Sequence, residues 1–223
     1  MTNSCIYIDE KWPDKKYPNQ VLMATFFTNQ IDLLESIDDY VFNKSIGSFG
    51  KLNKLIESVN GYAMYTYADI PKSRREGKFI YKGDTEFSRN NFLWCTMLSA
   101  SIMATINTFS SKTNDFKIDI YHHQYDMNVD FDIGHKLVIF EQIPELLKKR
   151  NQHVNIKIDN IVSVDLKDST NTDKHAIRGV RICDKLCYRY DPKCIKQTDT
   201  KICFTDITKQ IETSFRKAEN HNL

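Results

Sequence analysis

Four carboxylates stand where secondary structure ends or turns inward. Asp9 and Glu10 follow the apolar run Ser4-Cys5-Ile6-Tyr7-Ile8, Asp126 follows Phe116-Lys117-Ile118-Asp119-Ile120-Tyr121-His122, and Asp184 lies on an apolar helical stripe. Asp and Glu offer hard oxygen ligands, and crowded carboxylates stay ionised where a cation offsets their repulsion. The chemistry served by such a group is phosphodiester hydrolysis. Two divalent ions about 4 Å apart activate water and hold the leaving oxygen, and they neutralise the negatively charged pentacovalent transition state. Each carboxylate also has a plainer reading. Asp9-Glu10 fits an ordinary strand end, because neither residue is cheaply buried without a partner, and Asp184 fits a satisfied carboxylate at the edge of its stripe.

The elements that position these groups follow from periodicity. Ser4–Glu10 reads as a buried strand, and the continuous apolar run Val21–Thr28 as a second strand buried on both faces. Ile31, Leu34, Ile37 and Val41 mark one amphipathic helix; Leu52, Leu55, Ile56 and Val59 mark another, ended by Asn60-Gly61. Tyr62–Ala68 is a third strand, and Asp69–Asn91 a polar stretch. Phe87–Phe109 reads as a central helix, Phe116–His122 as a half-buried strand, Gly134–Arg150 as a helix interrupted by Pro144, and Val154–Asp165 as a strand with a bulge. Lys174–Tyr190 reads as a helix stopped by Asp191-Pro192, with Ala176, Ile177, Val180, Cys183 and Cys187 on one face; a tail then leads to a last helix over Asp206–Glu219.

Composition narrows the class. With 41% hydrophobic and 27% charged residues, the 223-residue chain reads as globular rather than disordered. No repeat or Gly/Ser-rich linker divides it, so residues 1–223 are expected to form one domain, with a helical insertion at 30–60 and a C-terminal tail and helix at 191–223. A net charge of +2 neither demands nor excludes a polyanion. Local clustering favours one: Lys72, Arg74, Arg75, Lys78 and Lys82 are interleaved with Phe79 and Tyr81, a mixture that holds phosphates and stacks on bases. An ordinary solvated loop explains the same stretch. The six cysteines form no C-x-x-C pair, and the last four are separated by three, six and eight residues. Free thiols in a reducing cytoplasmic setting are expected. The longest apolar stretch, Phe92–Ile106, is broken by Ser, Thr and Asn and is too short for a membrane span. His122-His123 near Asp126 suggests a transition-metal site, but adjacent strand residues face opposite ways, which argues against both His binding one ion.

Without the helices between strands two and three, the element order is that of a ribonuclease H-like fold. The sequence resembles the DUF3800 family of ribonuclease H-like proteins. Ile6-Tyr7-Ile8-Asp9-Glu10 is similar to the family's opening Y-x-D-E-S, and Val180-Arg181-Ile182-Cys183-Asp184-Lys185-Leu186 to its Q-x-A-D-L helix, which follows a turn matched here by Asp168-Ser169. Lys11-Trp12-Pro13 replaces the usual Ser-Gly, and Arg181 and Cys183 stand at the Gln and Ala positions.

The resemblance implies an α/β fold: a mixed five-stranded sheet flanked by helices, with a carboxylate on strand one, one after strand four and one on the late helix. Asp9, Asp126 and Asp184 are then the expected ligands of Mg²⁺ or Mn²⁺, with Glu10 an auxiliary ligand or base; Asp119 or Asp130 can stand in for Asp126. Lys72, Arg74 and Arg75 would guide a nucleic-acid backbone. The implied activity is a metal-dependent nuclease or phosphodiesterase. Two alternatives stay open: a non-catalytic module binding nucleic acid or protein on the same scaffold, and a structural protein whose carboxylates pair with Arg178, Arg181 or Lys185.

Overall fold

The computed structural model describes residues 2–81, 85–109, 115–124, 155–167, 172–190 and 202–220, with positions 143, 145 and 149. Strands β1 (Thr2–Lys11) and β2 (Gln20–Thr28) come first. They are followed by helices α1 (Ile31–Ser36), α2 (Asp39–Ser45) and α3 (Phe49–Ser58), and by β3 (Tyr62–Asp69). A short α4 (Lys72–Arg75) and a hairpin of β4 (Lys78–Tyr81) and β5 (Thr85–Ser88) lead into the long α5 (Arg89–Phe109). Then come β6 (Asp115–His123), β7 (Asn155–Val164), α6 (Lys174–Tyr188), β8 (Ile202–Asp206) and α7 (Thr208–Asn220).

The main sheet has six strands in the order β7-β6-β1-β2-β3-β8. β2 is antiparallel to β1 and β3, whereas β6 runs parallel to β1, β7 to β6 and β8 to β3. The carboxyl ends of β1, β3, β6, β7 and β8 therefore share one rim with the start of β2. The register records this: Ile8 opposite His122, His123 opposite Val164, Gln20 opposite Asp69, and Tyr67 opposite Asp206.

β1 and β2 are continuous apolar runs because both faces are covered. Ile6 and Ile8 pack with Trp94, Leu98 and Ile102 of α5 and with Ile211 and Phe215 of α7. Cys5 and Tyr7 pack on the other face with Val180, Cys183 and Leu186 of α6 and with Leu34, Phe42 and Leu52 of the insertion. α6 seats flat because Ala176, Gly179, Val180, Cys183 and Cys187 recur at helical spacing and are all buried.

Several expectations are corrected. The five-stranded sheet gains a sixth strand, β8, inside the stretch read as a tail. At five residues, Ile-Cys-Phe-Thr-Asp is too short to announce itself; its pairing with β3 makes it a strand. Asp69–Asn91 is not one polar loop but contains α4 and the β4–β5 hairpin. The insertion has three helices rather than two. The stripe from Ile31 to Val41 breaks at Ile37, where Asp38 caps a new helix by accepting from the Tyr40 and Val41 amides at 2.9 and 3.2 Å. The expected bulge falls at Asp159, the extra residue between Ile158 opposite Ile118 and Asn160 opposite Asp119. The expected helix Gly134–Arg150 lies outside the described residues except at 143, 145 and 149. Among the described residues, no helix is long and apolar enough to cross a membrane.

Arg178, 3% exposed, ties the insertion to α6. Its guanidinium donates to the Leu34 and Glu35 carbonyls at 2.7 and 3.0 Å and pairs with Asp39. Those carbonyls belong to the last turn of α1, which has no intrahelical donors left for them. Arg178→Leu is expected to destabilise the protein by about 2 kcal/mol, measured as a lower urea midpoint at unchanged slope.

Candidate functional site

Strand alternation separates the two carboxylates that end β1. Asp9 continues the Cys5–Tyr7 series toward α6, whereas Glu10 continues Ile6–Ile8 toward α5. They meet at the rim but belong to opposite faces. Asp9 is 4% exposed. Its Oδ1 accepts from the Glu10 amide at 2.9 Å and from His123 Nδ1 at 3.1 Å. The parallel β1–β6 register makes the second bond possible, because it sets Ile8 beside His122 and hence Asp9 beside His123. His122 faces the other way, 4% exposed and edge-on to Trp94 at 5.3 Å. The two adjacent histidines thus serve different faces, as alternation requires.

α6 brings the third group. Cys183 Sγ donates to the Tyr7 carbonyl at 3.2 Å and Cys187 Sγ to the Asp9 carbonyl at 3.4 Å, so the helix runs along β1 toward its carboxyl end. Asp184 lies between them in sequence, and its charge acts on both Asp9 and His123. Its side chain is 42% exposed and pairs with Lys185 Nζ at 2.9 Å. Arg178, another partner considered for the site carboxylates, is instead bound to Asp39. Beside His123, an open pocket of about 300 Å³ is lined by His123, Gln124, Asp165 and Lys167. It lies at the carboxyl ends of β6 and β7, where α/β sheets commonly bind ligands.

Burial dominates the electrostatics. It raises the Asp9 carboxyl above the usual range; the His123 hydrogen bond and charge and the Glu10 amide oppose this, and Asp184 adds to it. Glu10 is pushed up to about 7 by burial and by Asp9, against Trp94 and His123. His123 is raised, first by its hydrogen bond to Asp9, against burial. Burial holds the Cys183 and Cys187 thiols well above their ordinary value, so neither is an activated nucleophile.

The other expected site residues fall as follows. Asp126 and its alternative Asp130 lie outside the described residues. Asp119 sits opposite Cys5, four residues down β6 from His123 and so about 13 Å along the strand; it accepts from Asn160 Nδ2 at 2.7 Å and cannot replace Asp126 beside Asp9. The basic group is not a free cluster. Lys72 pairs with Glu76 at 3.7 Å, Arg75 donates to the Pro18 carbonyl at 3.2 Å, and Arg74 contacts both Glu219 oxygens at 3.2 Å. Arg89 holds the same Glu219 at 2.6 Å, so Arg74 clamps α4 to α7 on the face away from Asp9.

His123 is the residue that sequence reasoning missed as Asp9's partner. A usable signal was present: Ile118 and Ile120 define one face of β6 and leave His123 on the other, the face Asp9 takes once β1 and β6 pair in parallel.

Among the described residues, no three His, Cys, Asp or Glu side chains converge as a metal-ligand set. What the rim offers is a hydrogen-bonded carboxylate–imidazole pair with a second carboxylate in electrostatic reach. The oxygen donors suit a hard divalent cation, and the imidazole suits Mn²⁺ better than Mg²⁺. No protein-family model matches the chain, and no curated protein sequence matches it.

Proposed function

We propose that this protein is a metal-dependent phosphodiesterase acting on nucleic acid, built on a ribonuclease H-like sheet and related to the DUF3800 family. One observation carries the reading: a buried aspartate ends the middle strand, hydrogen-bonded to His123 of the neighbouring parallel strand and within electrostatic reach of Asp184 on the covering helix. The strand order supports it, since β3-β2-β1-β6-β7 has three antiparallel strands followed by two parallel to the first, with β8 added outside β3. Asp9 and Asp184, with Asp126, would hold Mg²⁺ or Mn²⁺, which supplies Lewis-acid stabilisation of the phosphoryl oxygens and an activated water. His123 orients the Asp9 carboxylate and keeps a proton on Nδ1. Glu10, with a proton affinity near neutrality, can hold or release a proton at the rim. The reduced thiols of Cys5, Cys183 and Cys187 suit a reducing cytoplasm.

The Asp184–Lys185 pair favours a second reading, a non-catalytic binding module in which lysine replaces the cation. Calorimetric titration of Mn²⁺ and Mg²⁺ into wild type and Asp184→Asn decides between them, with a parallel cleavage assay on single- and double-stranded DNA and RNA. Saturable metal binding that weakens at least tenfold in Asp184→Asn, roughly what one lost ligand costs, together with cleavage, is the expected result. Absence of both in the wild type sinks the phosphodiesterase reading.

A further inference from the structure

The α6 face carries a chain of aromatic rings along the rim that Asp9 occupies. Tyr17, from the β1–β2 connection, meets Tyr190 edge-on at 5.8 Å. Tyr190 meets Tyr65 edge-on at 5.3 Å and lies nearly parallel to Phe204, 6.0 Å between centroids and 8° between planes. Phe204 meets Tyr67 at 4.6 Å. Strand parity puts these groups on one face. Tyr65, Tyr190 and Ile202 belong to the α6-side core, Tyr17 and Tyr67 pack against it, and Phe204 is two residues from Ile202 on the same strand. Asp9 shares that face, and Gln20 of β2 bridges the gap by donating to the Tyr190 hydroxyl at 3.4 Å.

The outer end of this chain is open. Phe204 is 39% exposed and lies on β8, the edge strand. A buried aromatic cluster that ends in a solvent-facing ring offers a π-face for another planar group. Cations accompany the rings: Lys11 and Lys16 place Nζ over Tyr17 at 5.8 and 5.0 Å from the centroid. Arg189, partly exposed at the end of α6, lies close enough for its charge to act on Tyr65. Acidic groups stand on this side too: Asp14 pairs with Lys11 at 2.9 Å, which leaves Lys16 as the cation over Tyr17 for a phosphate, and both oxygens of Asp206 are occupied, Oδ2 by the Tyr67 hydroxyl at 2.9 Å and Oδ1 by Thr208.

We propose that a single-stranded nucleic acid lies along this rim, from Asp9 past Gln20 and Tyr190 to Tyr67 and Phe204. A base stacks on Phe204, and the phosphate backbone meets Arg189 and Lys16. From β1 to β8 is three strand spacings, about 14 Å, a span that a few nucleotides cover. Aromatic rings interleaved with cations suit a single strand, whose base faces are free, and not a duplex, whose faces are hidden. This path replaces the one through Arg74, which is committed to Glu219 on the other face. The direction of the strand toward Asp9 rests on the phosphodiesterase reading; the binding itself does not.

The test is fluorescence anisotropy with a short mixed-sequence DNA or RNA oligonucleotide and the matching duplex, in EDTA. Wild type and Asp9→Asn are expected to bind the single strand more tightly than the duplex. Phe204→Ala weakens single-strand binding roughly 5- to 100-fold, the usual range for a lost stacking partner, and Phe204→Trp restores it. Arg189→Gln reduces the salt dependence by about one phosphate contact. Tyr40→Ala, an exposed ring on α2, changes nothing. The proposal is overturned if the wild type binds no single strand, if the duplex binds as tightly, or if Phe204→Ala binds like wild type. Binding that depends on Phe204 without metal-dependent cleavage by the wild type keeps this surface and removes the phosphodiesterase reading. Cleavage with unaltered Phe204→Ala binding does the reverse.

Discussion

Under the phosphodiesterase proposal, Asp9→Asn is expected to abolish cleavage, lowering its rate on the order of a thousandfold or more, while making the metal-free protein more stable at high pH. The first effect follows from removing the central anionic oxygen donor. The second follows from its environment. Burial raises the Asp9 carboxyl, so the folded state holds its proton more tightly than the unfolded chain does. A group of this kind contributes stability at low pH that is lost as pH rises through its folded value.

Glu10 has the same sign and a defined window: from 4.5 in the unfolded chain to about 7 when folded, its contribution is complete below 4.5 and gone above 7. That difference amounts to on the order of 3 kcal/mol. His123 is raised above 6.5, first by its hydrogen bond to Asp9, so its contribution is likewise lost as pH climbs past its folded value. All three groups therefore make the metal-free protein less stable at pH 8 than at pH 5. Asn at position 9 still accepts from His123 and from the Glu10 amide but carries no buried charge. Urea unfolding of both proteins across this range in EDTA checks the prediction. A wild type as stable at pH 8 as at pH 5, or an Asp9→Asn protein that cleaves normally, contradicts it. Stability given up for a buried charge is common where a site needs that charge.

Gly179→Ala should be among the most damaging single-methyl changes in the protein, costing about 3 kcal/mol or more. A Cβ at this position would fall within the Tyr7 ring. That ring cannot swing aside. It is stacked between Phe26 and Tyr121, at 5.5 and 5.6 Å, and its hydroxyl hydrogen-bonds His175 Nδ1 at 2.9 Å. Helix propensity pulls the other way by about 1 kcal/mol in favour of Ala, so a large net loss isolates the packing effect. α6 must lift from β1 to make room, which carries Asp184 and Cys187 away from Asp9. Chemical denaturation gives the loss directly. Adding Tyr7→Leu to Gly179→Ala should recover part of it by vacating the ring, and a stability equal to wild type for the single variant would mean that α6 does not lie this close.

The periodicity of short segments is local, and much of the fold was legible from it. The Cys5–Tyr7 and Val21–Phe27 runs, the Leu52–Val59 stripe and the Ala176–Cys187 stripe each state what they bury, and each appears as an element. Local signals failed where the partner supplies the reason for the structure. β8 is five residues long and is a strand because β3 offers it an edge. The break at Ile37 follows from Asp38 capping α2, which competes with a stripe that could continue. Lys72, Arg74 and Arg75 look like a free basic cluster in one dimension because Glu219, the acid that claims Arg74, is far along the chain.

The site divides in the same way. By itself the sequence determined that Asp9 ends a buried strand and that Asp184 lies near the apolar face of a helix, since both follow from spacing within one element. Only the tertiary structure decided that His123 is Asp9's partner, that Glu10 turns to the opposite face, and that the rings of Tyr17, Tyr190 and Phe204 line the rim beside them. Those facts depend on strand pairing and register, where a shift of one residue reverses every side chain. Pairing is a long-range choice made by the whole core.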